Sequence, residues 1–125
     1  LNDPRGWGHG GTLSFARTDA PGAAVQVVLA SPEATDELCR PLETGGLLSC
    51  RVGPRAVINF YRWVTGHPDY LGDLTAYRQY VVNHEVGHVL GHGHVPCPGP
   101  GQPAPAMQQQ TLGLDGCAPN PWPFP

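Results

Sequence analysis

Along residues 12–17, Thr12-Leu13-Ser14-Phe15-Ala16-Arg17, polar and apolar side chains alternate with the period of a half-buried strand. A turn at Asp19-Ala20-Pro21-Gly22 precedes Ala24-Val25-Gln26-Val27-Val28-Leu29, which is β-branched and almost continuously apolar and so predicts a deeper strand. Pro32 to Gly46 mixes polar residues with two prolines and is expected to be an irregular connection. Leu47 to Val52 and Ala56 to Tyr61 read as two further strands, and Gly53-Pro54 between them predicts a hairpin. Residues 1–11 read as a Gly-rich loop in which Trp7 is the only large anchor.

The pattern then changes to a helical one. Asp73 is a fitting N-cap for a helix from about Leu74 to Leu90. Tyr77, Val81, His84 and His88 fall on one side of it, while Tyr80, Val82, Val86, Val89 and Leu90 cover most of the rest. A helix apolar on so many sides is expected to be enclosed. Gly91 is its natural stop, free to take the left-handed conformation. Beyond His94, residues 96–125 hold nine prolines and a single charged side chain, Asp115. Such a segment can neither continue a helix nor enter a sheet. Cys97, Cys117, Trp122 and Phe124 give it anchors, so it is expected to be an ordered cap without regular structure. The expected fold class is α+β: residues 1–95 form a subdomain of strands and one long helix, and 96–125 form a short Pro-rich subdomain.

Composition narrows the function. The 125 residues contain no Lys, only seven Arg, and carry a net charge of −3, so no basic stripe exists to replace phosphate counterions and no nucleic-acid partner is expected. The longest apolar stretch, Val25 to Ala30, falls far short of the roughly 20 residues of a membrane span. Leu1-Asn2-Asp3-Pro4 lacks the basic start and apolar middle of a signal peptide, so the chain reads as a mature or excised fragment. Four cysteines fit an oxidised domain, extracellular or at the cell surface. Of the three possible pairings, Cys39–Cys50 with Cys97–Cys117 is favoured, because each closes a turn-rich loop. A cysteine-bound zinc is disfavoured, since such sites pair cysteines two to four residues apart and none here is closer than eleven.

The chemistry concentrates in His84-Glu85-Val86-Gly87-His88-Val89-Leu90-Gly91-His92-Gly93-His94. Two histidines four apart on a helix stand one turn above the other and can face one ion. Zinc accepts neutral imidazole nitrogen at about 2.0–2.1 Å in tetrahedral geometry. Glu85 is rotated by about 100° from His84, off the ligand face but near enough to reach a water on the metal, as a general base must. A third ligand has to come from beyond Gly91. His94 can swing back after the turn, and His92 competes if the helix continues, which Gly91 and Gly93 oppose.

These residues resemble the metzincin metallopeptidases. His84, Glu85, His88, Gly91 and His94 fill every fixed place of the extended HExxHxxGxxH pattern, and the pattern selects His94 as the third ligand. The run Tyr80 to His94, followed by a Pro-rich segment with Met107-Gln108-Gln109-Gln110, is also similar to a metzincin-like domain of unknown function in actinobacterial secreted or membrane-anchored proteins. The resemblance covers mainly residues 74–107. It implies a zincin-like fold with a small twisted mixed sheet and an active-site helix, and a zinc ion on His84, His88 and His94. It further implies Glu85 as general base and Met107 in a turn beneath the metal, its thioether under the imidazoles. Two departures stand out: no Tyr follows Met107, and the carboxyl-side subdomain has no room for a long final helix. The strand and backing helix that open metzincin sheets are also missing. The resemblance therefore implies either that this chain lacks these elements or that a separate N-terminal segment completes the sheet.

The remaining candidates have plainer readings. His9 and His67 fit solvated loops, and Tyr61, Tyr70, Tyr77 and Tyr80 fit core or rim positions better than oxyanion donors. The function expected is a zinc-dependent endopeptidase acting on a peptide or protein laid along an edge strand, 47–52 or 56–61. The alternatives are a zinc amide hydrolase acting on cell-wall or small-molecule amides, and a non-catalytic zinc-binding module. Retention of Glu85 speaks against the last.

Overall fold

A computed structural model describes residues 1–125, the whole chain. It is a small α+β fold with a three-stranded mixed sheet and three helices. The strands are β1 (Gln26–Ala30), β2 (Cys50–Val52) and β3 (Arg55–Asn59); the helices are α1 (Pro32–Leu38), α2 (Phe60–Thr65) and α3 (Leu74–Val89). The strand order is β1-β3-β2, with β1 parallel and β2 antiparallel to β3. Pairing on both sides buries β3, and Ala56, Val57 and Ile58 are at most 1% exposed.

The two faces of β3 meet different layers. Ala56 packs with Trp7, Val86 and Met107, and Ile58 with Tyr70, Tyr77, Tyr80 and Val81, so α3 and the carboxyl-side segment cover one face. Val57 faces α1 and the Cys39–Cys50 disulfide. The second bridge joins Cys97 to Cys117, so both expected pairings are present. No helix is long and apolar enough to cross a membrane.

Four sequence expectations are corrected. Residues 12–17 form no strand: the side-chain amide of Asn2 takes the place of a partner strand, donating to the Phe15 carbonyl (2.8 Å) and accepting from the Phe15 N–H (2.9 Å). The connection 32–46 is not wholly irregular, because Pro32–Leu38 is α1. Its first proline opens the helix at a position whose N–H has no intrahelical partner, and Ser31 caps it by accepting from the Ala34 N–H. The strand expected at 47–52 is only Cys50–Val52, since the amides of Leu47 and Leu48 turn back to the Thr44 carbonyl. The strand expected at 56–61 spans Arg55–Asn59 and lies at the centre of the sheet, so it cannot be an edge. Asn59 ends it by capping α2, accepting from the Tyr61 N–H at 2.9 Å.

Helix α3 matches its reading closely. Asp73 caps it by accepting from the Ala76 N–H, and Gly91 follows with φ +95°, the left-handed region. Residues 96–125 carry no helix or strand and one isolated bridge, Pro103 to Ala118. Polar side chains hold this segment against α3: the Tyr80 hydroxyl donates to the Gln108 carbonyl, and the Asn83 amide donates to the Pro121 carbonyl.

Candidate metal centre

The spacing of four on α3 sets His84 and His88 one turn apart, and the turn at Gly91 brings His94 back to them. His88 Nε2 lies 3.2 Å from His84 Nε2 and 3.1 Å from His94 Nε2. All three ligand atoms lie within 4.8 Å of one another, a group that can hold a metal ion.

Hydrogen bonds decide which nitrogen faces the cluster. His84 Nδ1–H donates to the Ala106 carbonyl at 2.8 Å, and His88 Nδ1–H donates to the His92 carbonyl at 2.9 Å. A carbonyl only accepts, so both Nδ1 atoms carry the proton and both Nε2 atoms present lone pairs. Bonds of this kind fix ring orientation and raise ligand basicity. Three nitrogens at tetrahedral angles and about 2.0–2.1 Å from one ion would stand about 3.3–3.4 Å apart, close to the two separations measured from His88. The residues therefore fit a divalent cation with nitrogen preference. Burial also holds the His84 imidazole's pKa down to about 4, so the ring stays neutral as a ligand must. His94 is shifted in the same direction by burial and by neighbouring His88.

Glu85 lies beside these ligands and is 4% exposed. Its Oε2 has no hydrogen-bond partner, and desolvation raises the carboxyl pKa to about 8. Glu85 and the three histidines line one cleft of about 290 Å³. One wall is the edge strand β2 with the disulfide-tied Leu42 and Leu48, and the other is formed by Gln109, Thr111 and Leu112.

The other candidates fall outside the cluster. Met107 is 5% exposed and packs with Trp7, Ala56 and Val86, its sulfur close against the Gly87 backbone between the two helical histidines. The Val95 N–H donates to its carbonyl, which ties the stretch after His94 to the Met107 turn. His92 points its ring away from the cluster and stacks on Trp7. His9 stacks on Phe124, and His67 caps the short turn Pro68–Tyr70. Tyr61 is exposed on α2. Tyr70, Tyr77 and Tyr80 form a buried aromatic group whose hydroxyls meet Gln110, Thr111 and the Gln108 carbonyl.

Sequence reasoning missed four contributors to the site. The Ala106 and His92 carbonyls orient ligands, and a backbone acceptor leaves no mark in residue type. Trp7 carried a signal as a lone large aromatic among glycines, though not one naming its partner. Gly87 is the fourth: a Cβ there would meet the Met107 sulfur and come within 2.7 Å of the Trp7 ring.

A family model described as "Protein of unknown function (DUF3152)" matches residues 1–116. No curated protein and no solved structure matches the chain.

Proposed function

The chain belongs to the DUF3152 family, whose description leaves function open, and from its site we propose that it is a zinc-dependent metallopeptidase of metzincin type. One observation carries the reading: three imidazole nitrogens converge beside a buried carboxyl group that has an unpartnered oxygen, in a cleft walled by an edge strand. His84, His88 and His94 would hold the ion, and three nitrogens leave a fourth position for chemistry. A zinc ion bound there supplies Lewis acidity, polarising a carbonyl and lowering the pKa of water toward about 7.

The protein's own residues perform the rest. Glu85 Oε2 takes the proton of the attacking water and returns it to the departing amine nitrogen. Burial raises the proton affinity of this carboxyl in the metal-free chain, and a dication on the adjacent histidines would lower it again, leaving a carboxylate able to take the proton near neutrality. The open edge of β2 offers main-chain groups to an extended peptide. Ala106 and His92 hold two of the rings against rotation. Met107 supports the helix from beneath, against Gly87. The two disulfides are consistent with an extracellular protein acting on peptides there.

Metal analysis of the purified protein, paired with a peptide-library digest, tests the reading. The expected results are one zinc per chain and cleavage that is lost in Glu85→Ala. Zinc bound at one per chain with no cleavage by the unaltered protein would withdraw the peptidase. A zinc module or a hydrolase of other amides would take its place.

A further inference from the structure

Of the seven arginines, Arg17, Arg40, Arg51 and Arg55 make no ion pair and no side-chain hydrogen bond, and Arg51 alone of them lines the histidine cleft. Arg5 is paired with Asp3, while Arg62 and Arg78 donate to backbone carbonyls. Arg51 makes neither an ion pair nor a hydrogen bond, and its side chain is exposed at the rim of the histidine cleft. It is the only arginine, and apart from the histidines and Glu85 the only side chain of ionic type, lining that cleft.

Sheet register explains why it is there. Arg51 is paired with Ala56, and residues directly paired across two strands share a face. Ala56 packs against Val86 of α3, so Arg51 projects on the helix side of the sheet. There it lies on the outermost strand, with no further strand paired beyond it. A peptide added along β2 would set its own side chains about 4.5–5.5 Å (Cβ to Cβ) from those of β2, the separation at which opposite charges on neighbouring strands attract. The opposite wall, Gln109, Thr111 and Leu112, is uncharged and supplies no rival.

We propose that Arg51 selects the substrate: a carboxylate borne by a peptide strand lying along β2 docks on its guanidinium while a neighbouring amide lies at the three histidines. The inference takes its reaction from the peptidase reading, but the recognition is measured separately. Arg51 is a specificity residue for acidic peptides, and the carboxylate comes either from an Asp or Glu side chain or from the peptide's own carboxyl terminus.

Fluorescence anisotropy on the whole zinc-loaded chain bearing Glu85→Gln, which turns no peptide over, tests it. Labelled peptides are compared in pairs, Glu against Gln at each position, and free against amidated carboxyl terminus. The acid member of at least one pair is expected to bind about threefold to fivefold more tightly, the upper part of the range of a cross-strand ion pair. The preference should vanish in Arg51→Gln and reverse in Arg51→Glu, and the position of the responsive pair identifies the source of the carboxylate. Equal binding of both members, binding of neither, or a preference that survives Arg51→Gln overturns the proposal. Cleavage of the same peptides by protein with Glu85 intact judges the peptidase reading on its own, so the two can fail separately.

Discussion

The imidazole of His92 lies flat on the indole of Trp7, ring centroids 4.4 Å apart and planes 16° from parallel. Trp7 is itself fixed, since its Nε1–H donates to the Asn83 carbonyl at 2.9 Å. The His92 N–H donates to the Gly87 carbonyl and the His92 carbonyl accepts from His88, so the stack holds the loop that orients the His88 ring. His92→Ala keeps the backbone but loses the stack. Zinc affinity, read by competition with a chromophoric chelator, is expected to fall about tenfold, the low end for loss of a ligand's orienting partner. His92→Phe should restore it. Equal affinity in all three proteins would show that the stack does not position His88.

Gly87 faces the Met107 sulfur and the Trp7 ring too closely for a side chain. Gly87→Ala is expected to destabilise the metal-free protein by about 1–3 kcal/mol through overpacking. That outweighs the gain of up to about 1 kcal/mol that alanine brings to a helix interior. A thermal melt with the midpoint unchanged or raised would contradict it.

Two buried groups give the metal-free protein opposite responses to pH. Burial raises Glu85 from an ordinary 4.5 to about 8, so its contribution is fully present below pH 4.5 and is lost as pH climbs toward 8. Burial lowers His84 from 6.5 to about 4, so its contribution is present above pH 6.5 and is lost as pH falls toward 4. Between pH 6.5 and 8 the slope belongs to Glu85. Melts of chelator-treated protein should show the midpoint falling across that window in the unaltered chain and level in Glu85→Gln. Parallel curves would mean that the carboxyl is not desolvated.

The Cys97–Cys117 bridge closes a sequence separation of 20 that contains Ala106, whose carbonyl orients His84. Replacing both cysteines by serine is expected to cost about 3 kcal/mol of stability by the loop-closure argument. Zinc affinity should fall as well, because the segment bearing that carbonyl is freed. Denaturant titration and the same chelator competition check the two effects separately.

The sequence by itself determined what spacing and local chemistry encode. A helix repeats every 3.6 residues, so four positions between His84 and His88 put both on one face, and the Asp73 cap and Gly91 stop are local steric facts. Cysteines in turn-rich loops likewise marked both bridges. Where two local signals competed, the reading erred. The polar residues and two prolines of 32–46 predict an irregular connection although Ser31 makes Pro32 a helix start, and 56–61 reads as one strand although Asn59 divides strand from helix. Only the tertiary structure decided which strand is central, that Asn2 rather than a strand satisfies Phe15, and that Trp7 reaches His92 across the chain. It alone set the Ala106 carbonyl on His84 and left Arg51 free at the sheet edge. Those outcomes follow from burial and hydrogen-bond satisfaction between segments distant in sequence. No periodicity within a single segment records them.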